Sequence, residues 1–492
     1  MLRGQRSDRA RAVLVTVLAA AAAAVFSVGL AGASAPLVRL SSDPYTNPTS
    51  QHMTEVEPDT FAFGSTIIAA FQVGRFFNGG SSNVGWATST NAGTSWTNGF
   101  LPGTTKHATP GGPYDRISDP AVAYDAKHGV WMISTLAMVE VGDLPSGVAV
   151  LTSRSLDGGL TWQNPVTVTT AGSPDKNWIV CDNSASSPFY GNCYTEWDDS
   201  NANDRIKMST SSDGGLTWGG AKNTHDRAFG IGGQPVVRSD GVVVVPIDSE
   251  TESAVVYFTS PNGGERWSAT RTIAPLVAHR VAGGLRTPPL PSAEIDRMGR
   301  VFVAWQDCRF RAGCSSNDIV FATIELNGDV SDVTRIPIDP VTSTVDHFTP
   351  GLAVDPTSAG RRTRLAVTYY YLPVADCGQS CELHIGFVSS SNGGRRWSAS
   401  SELAGPMLPS WLPITTQGRM YGDYISTSFV GGVALPGIVV ANAPSGAIFD
   451  VAAYSVANGL VTESEGALIA GELPVRIAVS GHPRATAPLT AR

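Results

Sequence analysis

Ser155–Trp162 reads SLDGGLTW, and Ser211–Trp218 reads SSDGGLTW. Three looser copies stand at Ser89–Trp96 (STNAGTSW), Ser260–Trp267 (SPNGGERW) and Ser390–Trp397 (SSNGGRRW). The shared frame is Ser, any residue, Asp or Asn, any residue, Gly, two residues of any kind, and Trp. Each constant position has a physical task. The side-chain oxygen of Asp157, Asp213, Asn91, Asn262 or Asn392 accepts backbone N–H groups two or so residues on, which closes a turn. The Gly that follows supplies a positive φ at little steric cost. Trp96, Trp162, Trp218, Trp267 and Trp397 then return the chain with a large apolar plate. Strand-like runs such as GVAVLTS, DRIKMST and AVVYFTS precede the copies, so each reads as the turn of an antiparallel hairpin. Five of the 11 Trp residues occupy the last position of the frame, which points to architecture rather than catalysis.

The copies begin at 89, 155, 211, 260 and 390. The last step is twice the others, which leaves a place for a copy near 325. There IVFATIELNGDVSDVTRI keeps a strand, the Asn327-Gly328-Asp329 turn and another strand, without the Trp. One period beyond 390, FDVAAYSVANGLVTES puts Asn458-Gly459 in the turn place. Each unit also carries two earlier strands, as in SDPAVAYDAKHGVWMISTLA and PLPSAEIDRMGRVFVAW. Four strands repeated radially predict an all-β, seven-bladed β-propeller of four-stranded antiparallel blades. Six blades with one inserted hairpin is the alternative. The propeller is expected over residues 34–474 as a single domain, followed by a tail, 475–492, with little strand pattern.

The first residues read differently. Arg3, Arg6, Arg9 and Arg11 precede an apolar run, then the small residues Ala31 to Ala35. That is the order of a secretory signal peptide, 1–33, with cleavage expected after Ala33; an uncleaved anchor is the alternative. No later stretch is apolar for long enough to span a bilayer. The chain carries a formal charge of −8 and no basic run, which argues against a nucleic-acid partner. Six cysteines fall in three close pairs, Cys181 with Cys193, Cys308 with Cys314 and Cys377 with Cys381, and export favours three local disulfides. No His or Cys spacing suggests a metal or another cofactor. EWDDSNAND, 196–204, is rich in oxygen but reads first as a solvated loop rather than a calcium site. A secreted monomer with a glycan partner is the expectation.

The octapeptide frame resembles the Asp-box, or BNR repeat, of sialidases and related propellers. SDPAVAYD, DKNWIVCDN, SPFYGNCYTEWDD and QGRMYGDYISTSF resemble secreted bacterial proteins of the sialidase-like, exo-α-sialidase kind. The resemblance implies a site with three Arg residues on the substrate carboxylate, a Tyr nucleophile with a Glu partner, and an Asp acid/base. The Arg-Ile-Pro motif that this family carries before its first box has no counterpart in TEVEPDTFAFGSTIIAAFQVGRF; Arg335-Ile336-Pro337 falls in an outer strand. No catalytic residue is therefore carried over by motif.

Blade geometry still selects a face. The turns opposite the octapeptides line the mouth where propeller ligands bind, and they hold Asp115, Arg116, Asp119, Asp175, Lys176, Glu196, Trp197, Asp307, Arg309, Arg419, Asp423 and Tyr424. Asp115 or Asp175 is the expected acid. Glu196 with Tyr424 is the expected activated phenol. Arg116, Arg309 and Arg419 are expected on an anionic substrate, with Trp197, Asp307 and Asp423 completing the binding set. Structural roles compete: Asp307 can pair with Arg309, Asp423 can bond its own turn, and Trp197 can pack between blades. The function expected is action on, or binding of, extracellular glycans, with an exo-α-sialidase type of hydrolase as the enzymatic form. The alternative is a non-catalytic module that binds carbohydrate or protein.

Overall fold

The computed structural model describes residues 36–462 except 143 and 379, together with 476–477. The signal peptide expected at 1–33 and most of the tail expected at 475–492 lie outside the described residues. Within them the chain is an all-β propeller of antiparallel sheets set around an axis. The innermost strands are Glu55–Phe63, Arg116–Asp125, Pro174–Cys181, Val236–Val237, Ser292–Ile295, Asp346–Val354 and Ser426–Val430. Each packs on the next, and the last packs on the first. Second strands such as Val243–Ser249 (VVVPIDS) and Val301–Asp307 (VFVAWQD) lie between neighbouring sheets. Both their faces are covered, so they read as continuous apolar runs rather than alternating ones.

The expectation of a seven-bladed propeller of four-stranded blades, or of six blades, needs correction. Among the described residues five sheets have four or more strands, one has three, and one is a two-stranded hairpin. One sheet is eight-stranded because Ser81 pairs with Ile117, and the Ser81 hydroxyl donates to the Ile117 carbonyl at 2.7 Å. The sheet of Pro174–Cys181, Cys193–Asp199 and Arg205–Ser211 stops at three strands. Two isolated bridges, Arg205 to Phe229 and Met208 to Lys222, stand where a fourth strand would lie. In the last sheet the outermost strand comes from the start of the chain: Leu37–Arg39 pairs with Ile448–Val456. The segment after the Asn458-Gly459 turn goes elsewhere, and Leu460–Val461 pairs with Val433–Ser445. From the region expected as a tail, Arg476–Ile477 pairs with Val333–Arg335.

The octapeptides are turns between consecutive strands, as read, but their wiring differs. The Asp157 carboxylate accepts the N–H of Thr161, four residues on rather than two, at 2.9 Å. Ser155, for which the sequence reading gave no role, donates to Asp157 at 2.8 Å and accepts the N–H of Gly159 at 2.9 Å. The same pattern recurs at Ser211 and Asp213, Ser260 and Asn262, Ser390 and Asn392, and Ser89 and Asn91. Each turn lies on the preceding unit. A Cβ on Gly159 would meet Ile68, on Gly264 Thr210, on Gly394 Phe321, and on Gly93 Leu435 near the far end of the chain. Trp162, Trp267 and Trp397 are buried, whereas Trp96 and Trp218 stay half-buried. All three local disulfides form: Cys181–Cys193, Cys308–Cys314 and Cys377–Cys381.

Candidate functional site

Four innermost strands break register near their starts, between Val56 and Asp59, Ser118 and Ala121, Asp175 and Trp178, and Phe348 and Gly351. In each break one non-glycine residue takes the left-handed backbone: Glu57 (φ 54°), Asp119 (46°), Lys176 (46°) and Thr349 (48°). Such a conformation costs on the order of 1–3 kcal/mol and persists only where its surroundings impose it. Pro58, Pro120 and Pro350 follow three of the four. A proline has no N–H to give a ladder, so a bulge is where a strand accommodates it.

Three of these bulges, those of Glu57, Asp119 and Lys176, meet at one ammonium. Lys176 Nζ lies 3.3 Å from Glu57 Oε1 and 3.5 Å from Asp119 Oδ1, and it donates to Asp423 Oδ2. Arg286 also donates to Asp423 Oδ2. The Asp423 N–H reaches Glu57 Oε1 at 3.3 Å. Gln72 donates to Glu57 and, at 3.0 Å, to the Ser118 hydroxyl. Arg75 is buried beside the group and tied to the Gly80 carbonyl at 2.7 Å. Three carboxyls thus face three cations at one end of the axis. Relative exposure is 1% at Glu57, 2% at Asp119 and 1% at Asp423, against 8% at Lys176. The Arg286 side chain is 17% exposed. Lys176 and Arg286 are the members nearest to solvent, whereas Arg75 is as buried as the carboxyls.

The shared ammonium does not treat its carboxyls alike. Burial raises Glu57 to about 7, and the Lys176 charge offsets only part of that. Burial pushes Asp423 in the same direction, but Arg286 and Lys176 outweigh it and hold the carboxyl well below its ordinary value. Asp119 is raised, chiefly by burial. Burial opposes the Lys176 charge, yet Asp119, Asp423 and Glu57 overcome it and hold the ammonium above its ordinary value. Two carboxyls on one cation with opposite shifts are the arrangement that supplies a proton donor beside a fixed negative charge.

Of the residues expected at the site, Asp423 is in this cluster, and Asp175 is adjacent, its Oδ1 accepting the Lys176 N–H at 2.9 Å. The Tyr424 ring lies 5.9 Å from Lys176 Nζ. The other expected residues stand elsewhere or are engaged by other partners. Tyr424 does not pair with Glu196; its hydroxyl donates to the Pro120 carbonyl at 3.0 Å. Burial, then the charges of Glu57 and Asp119, raise that phenol well above its ordinary value. Glu196 is raised by burial and faces the Gly233 N–H instead. Asp115 is held low, first by the Glu140 N–H and then by Lys106 at 3.0 Å, the opposite of what a proton donor needs. Arg116 is occupied by Glu140 (2.6 Å) and the Gly79 carbonyl (2.9 Å). Arg309 pairs with Asp307 at 2.6 Å, so both are used within one turn. Arg419 donates to the Leu412 carbonyl at 2.7 Å. Trp197 is buried, which leaves no ring face open for stacking.

Sequence reading passed over Glu57, Arg75 and Arg286, and left Asp119 and Lys176 without roles. The available signal was the alignment of Glu57-Pro58, Asp119-Pro120 and Thr349-Pro350 at the starts of three innermost strands. Among the described residues one further group, Asp318, Asp339 and His347, stands close enough to share a metal ion. Its carboxylates are already held by Arg311 and Arg335 at 2.6–2.9 Å.

No family model matches the chain, and no curated protein does. Among solved structures an ulvan lyase, a polysaccharide lyase, is similar at a TM-score of 0.50 and 10% identity, over 87% of this chain and 98% of its own. A Hadza microbial sialidase is similar at 0.41 and 15% identity, over 82% of this chain. Trypanosoma rangeli sialidase is similar at 0.45 and 11% identity, over 86% of this chain. This chain spans 66% and 60% of the lengths of those two sialidases. The lyase likeness bears on the fold alone. No helix among the described residues is long and apolar enough to cross a membrane.

Proposed function

We propose that the chain is a secreted propeller of the Asp-box kind that acts on acidic glycans at the Lys176 cluster. Secretion is supported by the leader-like first residues and by three disulfides, which persist in oxidising surroundings. The observation that carries the functional reading is the convergence of Glu57, Asp119 and Lys176, each from a strained bulge, on Asp423 and Arg286. Strain of this kind gathers at sites where geometry is used.

In this reading Arg286 and Lys176 meet the substrate anion first, because they are the least buried members. Glu57 gives a proton to the leaving oxygen, and water bonds to the carbon that this oxygen leaves and returns a proton to the Glu57 carboxylate. Asp423 keeps Lys176 and Arg286 in place and supplies negative charge beside a carbon that becomes electron-poor. A hydrolase of the exo-α-sialidase type is one form of this chemistry. The test is turnover of fluorogenic sialosides and uronides beside neutral glycosides. Acidic substrates should be cleaved and Glu57→Gln should cut kcat on the order of 10²-fold or more with unchanged folding. Full activity in Glu57→Gln, or preference for neutral substrates, contradicts the reading. A second reading follows from the near-complete burial of the three carboxyls: a non-catalytic module that binds an acidic glycan. Saturable binding with no turnover of any substrate favours it.

A further inference from the structure

The later halves of the innermost strands enclose a second space. It is a cavity of about 940 Å³, lined by Asp59 to Gly64, Trp178 to Cys181, Ser292 to Arg297 and Ser426 to Gly432 among others. Glu57, Asp119, Lys176 and Asp423 do not line it; they sit at the starts of the strands, at the other end of the axis. The volume suits a small organic molecule. The wall is largely apolar and aromatic, with Phe61, Trp178, Val180, Val236 and Leu352.

Four carboxyls interrupt that wall, Asp59, Glu294, Asp296 and Asp355, and the first two lack a cationic partner. Asp59 Oδ2 accepts the Val122 N–H at 2.7 Å. Glu294 makes no side-chain hydrogen bond or ion pair beyond the N–H of its neighbour Ile295, and it keeps some accessible surface because it borders the cavity. Burial raises Asp59 to about 7; burial and then the Asp59 charge raise Glu294 to about 8. No Lys or Arg acts on either group. Toward solvent Arg364 pairs with Asp355 and Arg300 with Asp296 at 3.3 Å, and Arg297 stands exposed at the rim. The uncompensated polarity is therefore acidic and deep.

We propose that this cavity is a binding site for an organic ammonium ion, with its cationic head at Asp59 and Glu294 and its apolar body against Trp178 and Phe61. A buried acid without a partner is costly, and a cation removes that cost. Aromatic faces favour the same charge. A divalent metal suits the site less, because it wants six or more oxygens. The nearby hydroxyls are already engaged: Thr60 bonds Ser426 at 3.0 Å and Ser428 at 2.9 Å.

The test is titration of the full chain with benzylammonium, read by calorimetry and tryptophan fluorescence, with benzyl alcohol, glucose and CaCl₂ in parallel. Benzylammonium should bind roughly tenfold or more tightly than benzyl alcohol. Glu294→Gln should weaken it by roughly the same factor without lowering the melting temperature, since it removes a desolvated acid. Asp59→Asn provides a second variant should the first not fold. Equal binding of the alcohol or glucose, saturation by Ca²⁺ alone, absence of binding, or unchanged affinity in a folded Glu294→Gln or Asp59→Asn protein would each overturn the proposal.

Discussion

Glu57 and Asp423 touch the same ammonium and hold their protons differently. Glu57 is raised to about 7 by burial, while Asp423 is kept ionised by Arg286 and Lys176. If Glu57 gives the proton, kcat/KM should stay level on the acid side and fall as pH rises through about 7. A pH–rate profile measures this directly. A profile that rises through that range would assign Glu57 the opposite role, that of a base. Little of this was legible in the sequence. Asp423 and Asp175 were found because charged residues before innermost strands face the mouth. Glu57 was passed over because TEVEPDTFAF reads as strand interior. A register break at Val56–Asp59 turns that interior residue onto the axis, and only pairing geometry reveals it. Conversely, Arg116, Arg309 and Asp115 looked available in the sequence and are taken by local partners.

The octapeptide turn is the best-specified element. Its internal bonds are local, so eight residues fix it wherever it occurs, and the fold class followed from its recurrence. What recurrence did not reveal was how strands are shared between sheets, because the Ser81–Ile117 pairing and the Leu37–Arg39 closure are long-range choices. The turn's Trp residues are not equivalent. Trp162 is buried against Trp86, with ring centroids 6.4 Å apart, and its Nε1 donates to the Gly159 carbonyl at 3.1 Å. Trp218 is half-buried and its Nε1 has no partner. Trp162→Ala should therefore destabilise by about 3–5 kcal/mol. Trp218→Ala should cost clearly less. Denaturant unfolding of both variants compares them, and equal losses would contradict the wedge account of the turn. Gly159→Ala should also destabilise, because its φ is 83° and a Cβ would stand 2.2 Å from Ile68 Cδ1.

Across the whole molecule, buried acids set the response to pH. Glu55, Glu57 and Asp59 are raised to about 7, and Asp248 and Glu294 to about 8, burial being the first cause in each. A raised carboxyl keeps its proton in the folded chain after the unfolded chain has released it. Between about pH 4.5 and 8 the native state then binds more protons, so stability falls as pH rises. The melting temperature should be several degrees higher at pH 5 than at pH 8; a higher value at pH 8 would mean these acids are ionised in the fold. The axis also separates two chemistries, cations over carboxyls at one end and lone carboxyls in an apolar cavity at the other. The central claim concerns the first of these. A crystal of the chain soaked with an acidic monosaccharide tests it most directly. The sugar's carboxylate should lie within hydrogen-bond distance of Arg286 or Lys176 Nζ with Glu57 facing the ring; a sugar bound elsewhere, with the Lys176 cluster untouched, would contradict it.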